Sequence, residues 1–594
     1  MKRRTFLKGV SLGAAGAAGA AATAGGRAAR AADAAPGRAA GRRPNVILVL
    51  TDDQGYGDLS CLGNPVLKTP NIDRLHAESV RLTDFHVAPM CTPTRGQIMS
   101  GLDALRNRAR HVCGGLTMLR TDVPTMADIF RAGGYRTGIF GKWHLGDQYP
   151  YLPHQRGFEE AVHHKSWGIT SAADAWGNDY FDDQYLHNGR LRRYEGYCTD
   201  VWFREATAWM KACAARREPF FCYLPTNAPH GPLFVPERYA EPYRKPGVPA
   251  NFFGMIACID ENMGRLMAWL DESGLAQDTI LVFMTDNGGT GGVKLYNAGM
   301  RGGKTQLYDG GHRVPCFVRW PSGGLRPAGD AADLAAAQDL VPTLADLCSL
   351  PLPAGARLDG VSLAGILRGT GATPPERMVV VQYHIEIPKW NAAVLWKKWR
   401  LVKGEELYDI ASDPGQQTNV ADRRPDVLKA MRDHYERWWA EVEPVAREPC
   451  CVHIGSQHEN PVTLCCADWY MIYADNSGHL QGGNNSYWNV RVERDGIYTF
   501  ALHRWPPESG AALDAPLAGA GGPTAKGAPG KALPVAKARL QAGALDESKP
   551  AAPGQKAVTF TVALKAGKTR IQTWLYDKDG QELCGAYYTV VERA

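Results

Sequence analysis

Two apolar runs lie far apart in the chain and end alike. Val46-Ile-Leu-Val-Leu50 runs into Thr51-Asp52-Asp53-Gln54-Gly55, and Ile280-Leu-Val-Phe-Met284 runs into Thr285-Asp286-Asn287-Gly288. Unbroken aliphatic and β-branched runs of this length suit strands buried on both faces, as in a parallel sheet. In an open sheet of that kind, sites form outside the carboxyl ends of the strands. The matching tips therefore predict one site where Asp52, Asp53, Asp286 and Asn287 converge. Three carboxylates and an amide are hard oxygen donors, suited to Ca2+ and less well to Mg2+. Turns and caps are the commoner fate of Asp and Asn; the same ending met twice is what argues for a metal.

Other blocks carry chemistry of their own. Cys91-Thr-Pro-Thr-Arg95-Gly96 leads into an apolar stretch that reads as a helix, with Pro93 tolerated in its first turn. Cys91 and Arg95, four apart, share a face. A cysteine at a helix N-terminus beside an arginine makes a place for an anion or a reactive sulfur. Gly134 to Phe140 reads as a strand leading into Gly141-Lys142-Trp143-His144-Leu145-Gly146. In extended chain Lys142 and His144 point to the same side. A cation and an imidazole aimed together suit an anionic centre undergoing proton transfer. Phe220 to Pro225 is a third buried strand, and it delivers His230 on a proline-stiffened loop, Asn227-Ala-Pro-His-Gly-Pro232. Met300 to Gly311 presents Arg301 and Lys304 among glycines that allow close backbone approach to a small anion. Thr69 to Leu75 and Thr125 to Ala132 carry helix-start signals and amphipathic spacing.

Together these blocks resemble the type I, formylglycine-dependent sulfatase family, arylsulfatase-like members of the alkaline phosphatase superfamily. The resemblance spans about Pro44 to Pro444. It is carried by C-x-P-x-R at Cys91–Arg95, by G-K-W-H at Gly141–His144, by the His230 and Lys304 loops and by the two strand tips. It implies an α/β fold with a mixed, largely parallel central sheet flanked by helices, followed by a smaller α/β subdomain. It implies that Cys91 is oxidised to formylglycine by a maturing enzyme, and that Asp52, Asp53, Asp286 and Asn287 hold calcium together with residue 91. In the implied hydrolysis of a sulfate monoester, Arg95 orients the nucleophile and Lys142 supplies positive charge. His230 or Lys304 protonates the leaving oxygen, and His144 takes the hydroxyl proton that expels sulfate. Asp309 stands where the family commonly has glutamate. The alternatives are a phosphonate monoester or phosphodiester hydrolase of the same superfamily, and a non-catalytic glycan-binding protein.

A chain of 594 residues exceeds what one core serves. Met1-Lys-Arg-Arg-Thr-Phe-Leu-Lys8 and the Ala/Gly-rich run behind it read as a twin-arginine export leader over 1–31, cleaved between about 31 and 43. That run is too rich in glycine and alanine for a membrane span. The expected protein is exported through the twin-arginine machinery to the periplasm or beyond, and is not an integral membrane protein. The six cations of the leader account for the whole formal charge of +6, so nothing favours nucleic-acid binding. The catalytic subdomain is expected over 44–320 and the smaller one over 321–446, ending in a helix from Pro425 to Trp439. Residues 447–594 alternate as strands with turn signals and read as a β-sandwich, interrupted by an Ala/Gly/Pro-rich segment, Pro516 to Pro534. That sandwich either binds carbohydrate through exposed aromatics such as Trp469, Trp488 or Trp505, or docks on the catalytic core. Of the fourteen cysteines, Cys450-Cys451 and Cys465-Cys466 suggest one or two disulfides. The substrate is expected to be a sulfated glycan or an aryl sulfate; the outer pocket near Trp167, Tyr180 and Trp390 is not assigned by pattern.

Overall fold

The computed structural model describes residues 43–371, 375–517 and 530–594. The leader and the middle of the Ala/Gly/Pro-rich segment, 518–529, lie outside the described residues.

Asn45–Thr51 is the centre of the large sheet, and all its residues are buried. It pairs in parallel with Phe220–Pro225 on one side and with Thr279–Thr285 on the other. Arg136–Lys142 and Glu160–His164 continue the parallel set. Antiparallel strands flank it: Cys316–Arg319 beside Thr279–Thr285, and Gln184–His187 beside Glu160–His164. The ten-stranded sheet is thus mixed with a parallel middle.

Side chains alternate across this sheet. Val46, Leu48 and Leu50 join Ile280, Val282 and Met284 in a core that holds the Cys91–Ser100, Met126–Ala132 and Leu340–Leu347 helices. Ile47, Val49, Leu281 and Phe283 enter the opposite core, with Pro70–Ala77, Cys198–Ala215 and Ala250–Glu272. Burying each such side chain is worth about 1.5–3 kcal/mol. A strand apolar at every position gains this on both faces only when both are covered.

A four-stranded antiparallel sheet forms the smaller α/β part: Val379–Gln382, Ala392–Trp396, Trp399–Val402 and Glu406–Asp409. The helix behind it runs Pro425–Arg447, past the expected end at Trp439. The apolar spacing continues through Val442 and Ala446, which pack in the same core. Trp399 and Leu401 face that core. Arg400, between them, points to the opposite side and is fully buried. Its guanidinium reaches Asp84 Oδ1 at 2.5 Å and Asp309 Oδ1 at 3.1 Å. His86 Nε2 meets the same Asp84 oxygen at 3.0 Å, and His86 and His312 meet through their Nδ1 atoms at 2.9 Å. His86, Asp309 and His312 bring metal-type ligand atoms together, but the buried guanidinium already supplies the positive charge there. Asp309 thus serves to pair Arg400.

The C-terminal part is a sandwich of a six-stranded and a four-stranded sheet. Val558–Leu564 alternates buried and exposed at every residue, as one-sided burial requires. Its tryptophans correct an expectation. Trp469 and Trp488 are wholly buried and Trp505 is 3% exposed, so none offers a surface platform. Each apolar ring gains more from the core than from water, and Trp488 Nε1 donates to Cys465 O at 2.7 Å. The expected disulfides are also absent: Cys450, Cys451, Cys465 and Cys466 are all free thiols. Cys450 and Cys451 enter a strand of one sheet, whereas Cys465 ends a strand of the other. Among the described residues, no helix is long and apolar enough to cross a membrane.

Removing one member of a buried ion cluster strands the others, at about 3–5 kcal/mol. Arg400→Met is therefore expected to destabilise the protein by about that amount, read as a lower urea midpoint. Asp84 and Asp309 would be left buried without their counter-ion.

Candidate active site

The parallel register sets Thr51 beside Thr285, so both acidic tips leave the sheet together. Asp53 N donates to Asp286 Oδ1 at 3.2 Å, and Asn287 Nδ2 donates to Asp53 Oδ1 at 3.0 Å. All four residues are essentially buried. Asp52 Oδ1 and Asn287 Oδ1 have no hydrogen-bond partner among the described residues. A buried acceptor in that state costs about 1–3 kcal/mol. Hard oxygens so placed fit a divalent cation such as calcium.

The helix expected after the cysteine runs Cys91–Ser100 and begins at Cys91 itself. Pro93 sits in the first turn, where a missing N–H is harmless. Ligand atoms of Asp52, Cys91 and Asp286 all lie within 4.8 Å of one another. Arg95, one turn on, is wholly buried. It donates from Nη2 to Asp286 Oδ2 at 2.8 Å, from Nε to the same oxygen at 3.2 Å, and from Nη1 to Lys142 O at 2.8 Å. Asp52 Oδ2 is 3.6 Å away. Burial pushes the Cys91 thiol up, and Lys142 and Lys304 oppose this only in part. The helix terminus therefore does not keep a thiolate, contrary to one of the two expectations for this position.

Lys142 ends its strand and pairs with Asp52 Oδ2. Burial alone would raise the Asp52 carboxyl, but Lys142, His230 and Arg95 hold it well below the usual range. Asp286 goes the other way: burial, then the charge of Asp52, pushes it up to about 7. Gly141, just before Lys142, has φ +128°, and a Cβ there would lie 2.0 Å from Pro225 O. Only glycine fits that crossing. His144 departs from the extended backbone assumed for it, with φ 59°. Its Nε2 meets Val112 O at 2.9 Å. A carbonyl can only accept, so Nε2 carries the proton and the lone pair of the neutral ring is on Nδ1. Nδ1 is buried without a partner. Burial, then Lys142, holds this imidazole well below its ordinary range. Val112 and Cys113 pack against Cys91, so His144 is tied to the loop that lines residue 91.

Lys304 Nζ lies 2.5 Å from Asp53 Oδ1. His230 Nε2 lies 3.6 Å from Asp53 Oδ2, and its Nδ1 donates to Gly231 O at 2.7 Å. Burial lowers the His230 imidazole and Asp53 only partly restores it. Asp52, Asp53 and Asp286 thus face Arg95, Lys142 and Lys304, three acidic side chains against three basic ones. The glycines near Lys304 serve a different purpose from the one expected. A Cβ on Gly311 would meet Gln306 O at 2.1 Å, so they let backbone approach backbone. Trp167 packs on His230 with centroids 5.2 Å apart, and Tyr180 donates its hydroxyl to His230 O at 3.3 Å. Trp390 instead stacks on Tyr435 at 4.1 Å within the smaller α/β part. Sequence reading missed His111, Val112, Cys113 and Tyr383 around Cys91, because no motif or periodicity marks them.

The sulfatase family model matches residues 44–350. Human arylsulfatase A is 31% identical over 470 residues, covering 67% of this chain and 88% of that protein. The chain belongs to the sulfatase family. Dog N-acetylgalactosamine-6-sulfatase is 28% identical over 364 residues, covering 55% of this chain and 66% of that protein. The crystal structure of Ps i-CgsB in complex with k-i-k-neocarrahexaose superposes with a TM-score of 0.61 at 27% identity, over 67% of this chain and 93% of that one. This sulfatase is a sulfuric ester hydrolase, with the large mixed sheet and flanking helices of its relatives.

The loop beyond Asp53 gives a pH prediction. Asp58 accepts from Gly55 N at 2.8 Å, and burial pushes its carboxyl up to about 7. A carboxyl raised on folding stabilises the protein below its unfolded pKa, and that contribution is lost as pH rises through the folded one. Wild type should lose stability relative to Asp58→Asn between about pH 4 and 7, by roughly 1.4 kcal/mol per pH unit, and no further above. Urea midpoints of both proteins at pH 5, 6, 7 and 8 check this.

Proposed function

We propose that this sulfatase hydrolyses sulfate monoesters of carbohydrates through formylglycine made from Cys91, with calcium held by Asp52, Asp53, Asp286 and Asn287. The observation that carries the reading is the meeting of Cys91, three acidic side chains and three basic ones at one sheet edge. The thiol at position 91 is pushed up by burial, which suits a residue whose reactivity comes from oxidation. Hydrated formylglycine supplies a hydroxyl nucleophile that can release sulfate and return to the aldehyde. Calcium, when bound, supplies positive charge that polarises the sulfate oxygens.

The chain's own residues do the rest. Arg95 ties the Cys91 helix to Asp286 and to the Lys142 carbonyl, and so fixes the nucleophile against the strand tips. Lys142 and Lys304 neutralise the sulfate, preorganised by burial. His144, neutral with its Nδ1 lone pair free, accepts the proton whose removal expels sulfate. Lys304 stays charged, because Asp53 raises it against the cost of burial, and either it or His230 protonates the departing alcohol. His230 is neutral near pH 7 and donates only once protonated at lower pH. Sulfated carbohydrate is favoured over aryl sulfate by the oligosaccharide bound in Ps i-CgsB. Export through the twin-arginine route and maturation by a formylglycine-generating or sulfatase-maturing enzyme complete the reading.

Cys91→Ala is expected to lower turnover of sulfate esters by at least about 10^4-fold, as for loss of a nucleophile. Mass spectrometry of the wild-type peptide containing residue 91 should find the aldehyde; a fully active alanine variant would refute the mechanism. Calcium at about 100 times its dissociation constant should stabilise the wild type by about 2.7 kcal/mol. Asn287→Leu should abolish most of that gain, and chelation should depress activity. Equal thermal shifts in the two proteins would count against the assigned ligands.

A further inference from the structure

The segment 466–480 lies beyond the residues matched by the family model. It leaves the sandwich and reaches the catalytic centre. Two backbone bonds hold it to the loop beside Cys91: Gly114 N donates to Ala467 O at 2.9 Å, and Met471 N to Gly114 O at 3.1 Å. On the His230 side the Asp475 carbonyl accepts one side-chain and one backbone bond: from Trp167 Nε1 at 3.0 Å and from Ala172 N at 2.8 Å. The arm is therefore pinned to both the nucleophile loop and the tryptophan that covers His230.

Between these anchors stands Tyr473. It is 46% exposed, and among the described residues it is the one aromatic in the set of exposed large hydrophobic side chains. Its ring meets His111 edge-on, with centroids 5.8 Å apart at 85°. His111 in turn lies flat on Tyr383 at 5.2 Å and 6°. Tyr383 packs against the group formed by Met90, Cys91, Val112 and Cys113. Burial of its inner part raises the Tyr473 phenol, and the Asp475 carboxylate adds to this. A tyrosine held so has little rotamer freedom to lose on binding, and offers one apolar ring face with a polar tip.

We infer that Tyr473 is the wall on which the sulfate-bearing pyranose ring packs, so that the C-terminal sandwich contributes a specificity-determining residue to the active site. The inference rests on the sulfatase reading above. With sulfate held by Lys142 and Lys304, the ring that carries it lies on the solvent side of the site, where Tyr473 is exposed. A sugar presents its C–H face to an aromatic ring there, and sulfate itself needs no such contact.

The test uses the full-length, matured protein as wild type, Tyr473→Ala and Tyr473→Phe. The probes are N-acetylgalactosamine 6-sulfate and 4-nitrophenyl sulfate, with inorganic sulfate as competing product. The alanine variant should raise KM for the sugar sulfate about five- to tenfold, as for loss of a ring-stacking contact, with kcat within about twofold. The phenylalanine variant should restore KM, and inhibition by inorganic sulfate should be the same in all three. An unchanged KM for the sugar, or a loss confined to the aryl ester, would overturn the inference and leave the sulfatase mechanism standing. Altered inhibition by inorganic sulfate would also overturn it, because the arm would then be shaping the anion site. A wild type that turns over neither ester would overturn both readings.

Discussion

Arg95 cannot lose its charge and is wholly out of water. A guanidinium in that position is tolerated only if its donors are satisfied by fixed acceptors. Those acceptors are Asp286, at the tip of one central strand, and the carbonyl of Lys142, at the tip of another. Asp52, at the tip of the first strand, completes its surroundings. One side chain thus couples the helix bearing Cys91 to three strands of the sheet. Lys142 on Asp52 and Lys304 on Asp53 repeat the same solution on either side. The result is a centre of paired acids and bases that, among the described residues, keeps two hard oxygens without partners.

Much of this centre was legible in the chain because it follows from one rule. Parallel strands in register bring their ends level, so identical endings on Val46–Leu50 and Ile280–Met284 had to meet if the runs were neighbours. Helix periodicity likewise placed Cys91 and Arg95 on one face. The orientation of His144 was not legible, because it depends on a left-handed backbone angle that no residue type there signals. Nor was the service of the Gly310–Gly311 pair, where glycine yields to a carbonyl rather than to a ligand.

The C-terminal part shows the opposite balance. Its strands were readable from alternation, as in Val558–Leu564. The fates of its aromatics and cysteines were not, because alternation says which face a residue takes and not what lies opposite. Trp469, Trp488 and Trp505 went into the core. The adjacent cysteines were divided between two sheets. Tyr473, with no strand pattern around it, is the aromatic that reached the surface.

The depth of Cys91 also sets an order of events in the life of the chain. In the finished fold the residue is 1% exposed, too deep for another protein's catalytic groups to grasp. The first strand ends at Thr51, and one of its two neighbours begins only at Thr279. Pairings between such distant segments form slowly. Any enzyme that rewrites this side chain has to work in the interval before the sheet closes, on a polypeptide that is still open.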